Sequence, residues 1–212
     1  PPIVHDYATA TKDFPVVDVH RECATIRYDS HDYKGVIRAI NDLHKDIERV
    51  TGAKNNVSAD AVSGKYEIII GTLGKSKVID ALAASGKIKL QNLQGKWESF
   101  VIATVENPSP GIRQGLVIAG SDKRGTIYGI YELSQQLGVS PWYWWADAPV
   151  QKRKSAYIKS GYYESGEPKV KYRGIFINDE WPSFGNWATE KFGGVNSKMY
   201  VHLFELLLRL KA

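Results

Sequence analysis

Leu116-Val117-Ile118-Ala119-Gly120-Ser121-Asp122-Lys123-Arg124-Gly125-Thr126-Ile127-Tyr128-Gly129 passes from a short apolar run through a polar turn into a helical pattern. The run Leu116 to Ala119 reads as a strand, and the helix extends from about Arg124 to Leu137 with Gly138 as its C-terminal cap. Asp122 stands where its carboxylate can cap that helix. Gly125 and Gly129, four residues apart, fall on one face and let the helix lie close against a sheet. A glycine-rich turn at a helix N-terminus can also cradle a phosphate. Here the glycine spacing fits neither the phosphate-loop pattern nor the dinucleotide pattern, so close packing is the preferred reading and nucleotide binding a poor one.

Working outward, the same alternation repeats. Strand signals at Val16–Val19 and Ala24–Tyr28 precede Asp29-Ser30-His31-Asp32, a group of helix-capping side chains. Val36, Ile40, Leu43, Ile47 and Val50 then recur at steps of three and four, the buried stripe of an amphipathic helix that Thr51-Gly52 ends. Tyr66 to Gly71 reads as a largely buried strand, and Val78, Ile79 and Leu82 mark a short helix stopped at Gly86. Ser99 to Val105 is a further strand, closed by the turn Asn107-Pro108-Ser109-Pro110-Gly111. Strands alternating with amphipathic helices predict an α/β layer domain, with a mixed sheet covered by helices.

Pro149 to Pro168, where Lys, Ser, Gly and Glu gather, reads as a linker. Beyond it come a strand signal at Tyr172 to Ile177 and a helix from about Asn196 to Leu210. That helix is apolar around most of its circumference and expects partners on nearly all sides. Forty residues of strand and helix cannot supply them, which favours a truncated second domain. The expected organisation is therefore residues 1–168 as an accessory domain with a C-terminal linker and residues 169–212 as the first strand and helix of another.

Composition excludes some classes. The chain has 212 residues, 43% of them apolar and 24% charged, as in an ordinary globular protein, and no apolar run approaches the roughly 20 residues of a membrane span. Its net charge of +5 is scattered, and the one basic cluster, Lys152-Arg153-Lys154, comes without a recognition motif, so no nucleic-acid partner is expected. Cys23 is the only cysteine, which rules out an intramolecular disulfide and a cysteine-based metal site. Asn56-Val57-Ser58 fits a glycosylation acceptor, a weak signal.

Two stretches besides the opening one could hold chemistry. Ser140-Pro141-Trp142-Tyr143-Trp144-Trp145-Ala146-Asp147 places four rings in a row, and they cannot all face one core. Packing at a domain interface is the preferred reading; a carbohydrate-binding or docking surface is the alternative. In Arg173-Gly174-Ile175-Phe176-Ile177-Asn178-Asp179-Glu180-Trp181 an apolar strand runs into a polar end. In a parallel barrel that end is the face where active sites assemble.

The run Gly120 to Ser134, the aromatic segment Ser140 to Asp147, the stretch Arg173 to Glu180 and the helix Asp32 to Gly52 together resemble glycoside hydrolase family 115, the xylan α-1,2-glucuronidases, in the order that family shows. The resemblance implies an α/β accessory domain followed by the first βα unit of a (β/α)8 barrel. It implies release of 4-O-methylglucuronic acid from glucuronoxylan or aldouronic oligosaccharides with inversion, without cofactor or metal, by a secreted or periplasmic enzyme that could be a homodimer. Asn178 and Asp179 then line the uronic-acid pocket, with Glu180 following in the same loop. Inversion needs two carboxyl groups roughly 6.5–9.5 Å apart. Asp179 and Glu180 are neighbours that point to opposite faces of an extended chain, so the acid and base are expected beyond residue 212 and the fragment is expected to be inactive alone. Arg173 lies at the start of the strand, too far to meet the substrate carboxylate.

Overall fold

The structure, a computed structural model, describes residues 2–59 and 64–212. The chain divides into two compact units, Pro1–Pro168 and Lys169–Ala212.

Unit 1 opens with β1 (Val4–His5), β2 (Phe14–Val17) and β3 (Thr25–Arg27), then α1 (Lys34–Thr51) and the short β4 (Val57–Ser58). It continues with β5 (Tyr66–Thr72), α2 (Lys77–Ala84), β6 (Phe100–Glu106), β7 (Gln114–Gly120) and α3 (Lys123–Leu137), and closes with β8 (Ala156–Ile158) and β9 (Tyr162–Glu164). The main sheet has the order β4-β3-β5-β7-β6-β9. β3, β4, β5 and β7 run parallel, while β6 is antiparallel to both β7 and β9. All seven residues of β7 are buried, as a central strand covered on both faces requires.

The period of two in the strands sorts their side chains. Ile69, Val101, Ala103, Val117 and Ala119 point to the side where Ile79 and Leu82 of α2 complete a core cluster. Their neighbours point the other way, where α3 lies so close that a Cβ built on Gly129 would come 2.9 Å from Ile118 Cγ2. α1 packs beside α3, and Tyr131 Oη donates to Asp42 Oδ2 at 2.7 Å. The expected layered α/β domain is present.

Three local expectations change. Asp32 does not cap α1, whose N-cap is Tyr33; its carboxylate instead accepts from Thr72 N at 2.8 Å and joins the helix entry to the end of β5. The stretch 149–168 is not a free linker. Its β8 sits between β1 and β2 in a second, three-stranded antiparallel sheet, with Ala156, Tyr157 and Ile158 buried, and β9 pairs with β6. Polar composition hid these strands, because strands of three residues are made by their partners rather than by their own propensity.

In unit 2, residues 172–177 form no strand. Strand backbone is satisfied by a neighbouring chain, and this stretch pairs with none among the described residues; Tyr172 and Phe176 are 84% and 91% exposed. Two helices follow, α4 (Phe184–Phe192) and α5 (Ser197–Arg209). Asn196 caps α5 by accepting from Lys198 N and Met199 N. Met199, Leu203 and Leu206 of α5 are buried, whereas Tyr200, Val201 and Phe204 on its other side are exposed.

One buried carboxylate makes unit 1 acid-sensitive. Asp13 accepts from Thr9 N and Thr9 Oγ1 at 2.7 Å, Ala10 N at 3.0 Å and Ser160 N at 3.0 Å, and so fastens the loop after β1 to the turn between β8 and β9. Burial pushes its pKa up, but the hydrogen bonds from Thr9, Ser160 and Ala10 outweigh burial and hold it below the usual 3.8. A carboxylate with a depressed folded pKa stabilises fully above its unfolded pKa and loses that contribution as pH falls through the folded value. We therefore expect Asp13→Asn to cost about 1–2 kcal/mol at pH 7. The variant should also show a shallower fall in stability below about pH 4, measured by denaturant titration at several pH values. Parallel acid limbs in wild type and variant would refute this role.

Candidate functional site

The candidate site in unit 2 is built on a turn pinned at both ends. At its start, Arg173 donates from Nε to Lys211 O at 2.8 Å and from Nη1 to Val170 O at 2.6 Å. Its guanidinium thus meets the carbonyl-rich end of α5, where a cation is favoured. Arg173 is accordingly a structural clamp. At the far end, Asn178 Oδ1 accepts from Glu180 N at 3.4 Å and Glu180 O accepts from Ser183 Oγ at 3.4 Å, just before a cis Trp181–Pro182 bond and the start of α4.

Gly185 shows how tightly this turn is seated. A Cβ there would come 2.8 Å from Trp181 Nε1 and 3.1 Å from Asp179 O, so the loop backbone and the indole lie directly on the first turn of α4. Asn178, Asp179 and Glu180 are all exposed on that turn. Two carboxylates and an amide are thus presented to solvent on a turn that rests against α4. The arrangement can accept hydrogen bonds from hydroxyls and orient a water. Described cavities lie elsewhere, in unit 1.

The support beneath the turn went unread in the sequence. Phe184 and Trp187 lie 5.5 Å apart, Trp187 and Phe192 5.6 Å, and Phe192 and His202 5.6 Å, a run of ring contacts that ties α4 to α5. The signal was available: Phe184, Trp187, Ala188 and Phe192 fall at helical spacing between Pro182-Ser183 and Gly193-Gly194.

The two candidate stretches of unit 1 behave differently. At Gly120 to Gly129, Asp122 Oδ1 accepts from Gly125 N at 2.7 Å and Oδ2 from Glu98 N at 2.8 Å. A protein carboxylate occupies the place where a phosphate would meet the helix N-terminus. Cβ atoms on Gly120 and Gly125 would overlap the Thr126 backbone and the Ser99 carbonyl, so these glycines serve close packing. At Ser140 to Asp147 the chain makes a turn in which Tyr143 N donates to Ser140 O and Ala146 N to Trp142 O. Trp144 and Trp145 meet edge to face at 5.1 Å, Arg49 lies 4.9 Å over the Tyr143 ring, and Trp142 is 41% exposed.

Among the described residues, no group of three or more His, Cys, Asp or Glu side chains is placed to hold a metal ion, and no helix is long and apolar enough to cross a membrane. Burial pushes the Cys23 thiol above its ordinary pKa, Arg21 opposing and Asp18 adding to the effect.

Comparisons with known proteins place the chain in a family. The model of glycosyl hydrolase family 67 N-terminus matches residues 20–133, and that of glycosyl hydrolase family 115 matches residues 165–212. No curated protein matches the chain. Among solved structures, BtGH115A, a family GH115 4-O-methyl-α-glucuronidase with specificity for decorated arabinogalactans, is 34% identical with a TM-score of 0.74. The alignment covers 89% of this chain and 24% of BtGH115A, so the chain spans about a quarter of that enzyme's length. A Streptomyces plicatus N-acetyl-β-hexosaminidase is 14% identical over 77% of this chain and 25% of its own, with a TM-score of 0.44, too low to argue from. The family 67 N-terminal match falls on the layered sheet, and the family 115 match begins four residues before unit 1 ends and runs through the pinned turn. The chain belongs to glycosyl hydrolase family 115.

Proposed function

We propose that this chain contributes the accessory domain and the first barrel unit of an α-glucuronidase. The enzyme would release (4-O-methyl)glucuronic acid from glucuronoxylan or its aldouronic oligosaccharides with inversion. The observation behind this reading is the turn Asn178-Asp179-Glu180, which rests against the start of α4, is open to solvent and lies inside the residues matched by family 115. In a barrel, polar groups at the carboxyl end of a strand line the pocket, and residues 172–177 would become such a strand once a neighbour supplies its hydrogen bonds.

Asn178 donates to a sugar hydroxyl, and Asp179 positions the sugar or a water. Glu180 has a lesser part. The second carboxyl group that inversion requires comes from chain not included in this sequence. A polymeric substrate implies a secreted or periplasmic enzyme, and a homodimer is compatible with the reading. Because BtGH115A is described as acting on decorated arabinogalactans, arabinogalactan bearing uronic acid is the second substrate to try.

The test is an assay of uronic-acid release from both polymers, with the 212-residue chain and with an enzyme of the relative's length. We expect release by the long enzyme and none by the short one, since one barrel unit does not close a pocket. Turnover by the short chain would refute its inactivity, and a long enzyme inert on every uronoside would refute the function.

A further inference from the structure

Three shallow cavities adjoin one another on unit 1, and Lys87 lines all of them. Each encloses about 460–480 Å³, within the roughly 300–1,000 Å³ of ligand sites. Their charged lining residues are Arg27, Lys77, Lys87, Lys89 and Arg113, and among the described residues no Asp or Glu lines any of the three. In a chain with 28 basic and 23 acidic residues, that is a strong local departure from balance.

Three carboxylates beside the trough already have partners, and Glu164 also acts on Tyr162. Glu67 pairs with Arg27 at 3.4 Å and offsets that one cation, Glu106 pairs with Lys12 at 3.3 Å, and Glu164 pairs with Lys96 at 3.6 Å beside the Asn92 amide. Lys77, Lys87, Lys89 and Arg113 are exposed, so the trough keeps a positive field. Its walls also offer flat apolar surface. The Tyr162 ring is 44% exposed and held in place because its hydroxyl donates to Lys89 O at 2.8 Å, and the exposed Pro110 lies farther along.

We propose that this trough, running from Tyr162 past Lys87 to Lys77, is a secondary binding site for the backbone of a uronate-bearing polysaccharide, remote in sequence from the Asn178–Glu180 turn. The lysines meet carboxylates of the sugar chain, while Tyr162 and Pro110 meet the CH faces of its rings. One exposed ring does not suit a nucleic-acid strand, which asks for several stacking platforms in series. The proposal rests on the glycosidase reading for its choice of polyanion.

Affinity electrophoresis of the intact 212-residue chain provides the test. We expect retardation in glucuronoxylan, and its loss when the polymer's carboxyl groups have been reduced to alcohols or when salt is raised. The double variant K87Q/K89Q should weaken binding roughly five- to tenfold, as the loss of two exposed ion contacts allows. K45Q, on α1, should bind like wild type. Equal retardation by the carboxyl-reduced polymer, or by K87Q/K89Q and wild type, would overturn the proposal. Tighter binding to a single-stranded DNA oligomer than to glucuronoxylan would overturn the choice of glycan. Because retardation is read without turnover, this site and the catalytic reading fail separately.

Discussion

Gly125→Ala is expected to destabilise unit 1 by about 3 kcal/mol or more, at the upper end of overpacking effects. Helix propensity alone predicts the opposite sign, since alanine is favoured over glycine in a helix interior by roughly 1 kcal/mol. Packing decides the outcome. A Cβ at Gly125 would overlap the Ser99 carbonyl oxygen and come 3.0 Å from Ser99 C and N. Ser99 has little room to yield, because its carbonyl accepts from Ser121 N at 2.9 Å and its amide donates to Ser121 Oγ at 3.0 Å.

Relief would therefore require α3 to lift from the sheet, with loss of contacts along β6 and β7. For a unit of this size the loss corresponds to a fall in Tm of about 6–12 °C, measurable by calorimetry. Gly74→Ala supplies the comparison. Gly74 has φ of +73° and no atom within 4 Å of a built Cβ, so only the left-handed backbone penalises alanine there. That penalty is about 1 kcal/mol. A Gly125→Ala protein melting within 2 °C of wild type would show that α3 is not held as described.

The second large effect concerns Asp179. In an enzyme of the relative's length, Asp179→Ala should lower kcat/KM on aldouronic oligosaccharides about 10²–10³-fold, the scale of losing a positioned acid–base or orienting group. Thermal stability should barely change, because the side chain is exposed and the contact with Gly185 is made by the backbone carbonyl. Glu180→Ala should cost less than about tenfold, in keeping with the lesser part proposed for it. If Asp179 acts in the transition state, the loss falls on kcat; if it only holds the sugar, KM rises instead. A change of less than threefold in both would remove Asp179 from the site.

Much of the layered domain was legible in the sequence because its signals are local. The stripe Val36-Ile40-Leu43-Ile47-Val50 and the run Leu116 to Ala119 declare their period, and Gly125 and Gly129 declare close approach. Ile40, Leu43 and Ile47 are indeed fully buried, as are Leu116 to Ala119. What escaped was set by distant partners. β8 and β9 exist because Val4, Phe14 and Val101 have strand neighbours there, which no window around residues 156–164 contains. The converse holds at Tyr172 to Ile177, whose strand-like composition has no adjacent strand to pair with among the described residues. In the candidate site, the polar end was visible, while the α4 rings that support it stand at helical spacing that went unread.

The return of β8 between β1 and β2 bears on how the protein is made. During synthesis the first strands leave the ribosome long before the segment that joins them, so they wait unpaired while the main sheet assembles. Nascent chains halted before Ala156 should be open to protease at Val4–Val17, and the cut sites should become protected only after Ile158 has emerged. Such late closure of distant segments slows folding, and it leaves residues 4–17 insecure until β8 arrives.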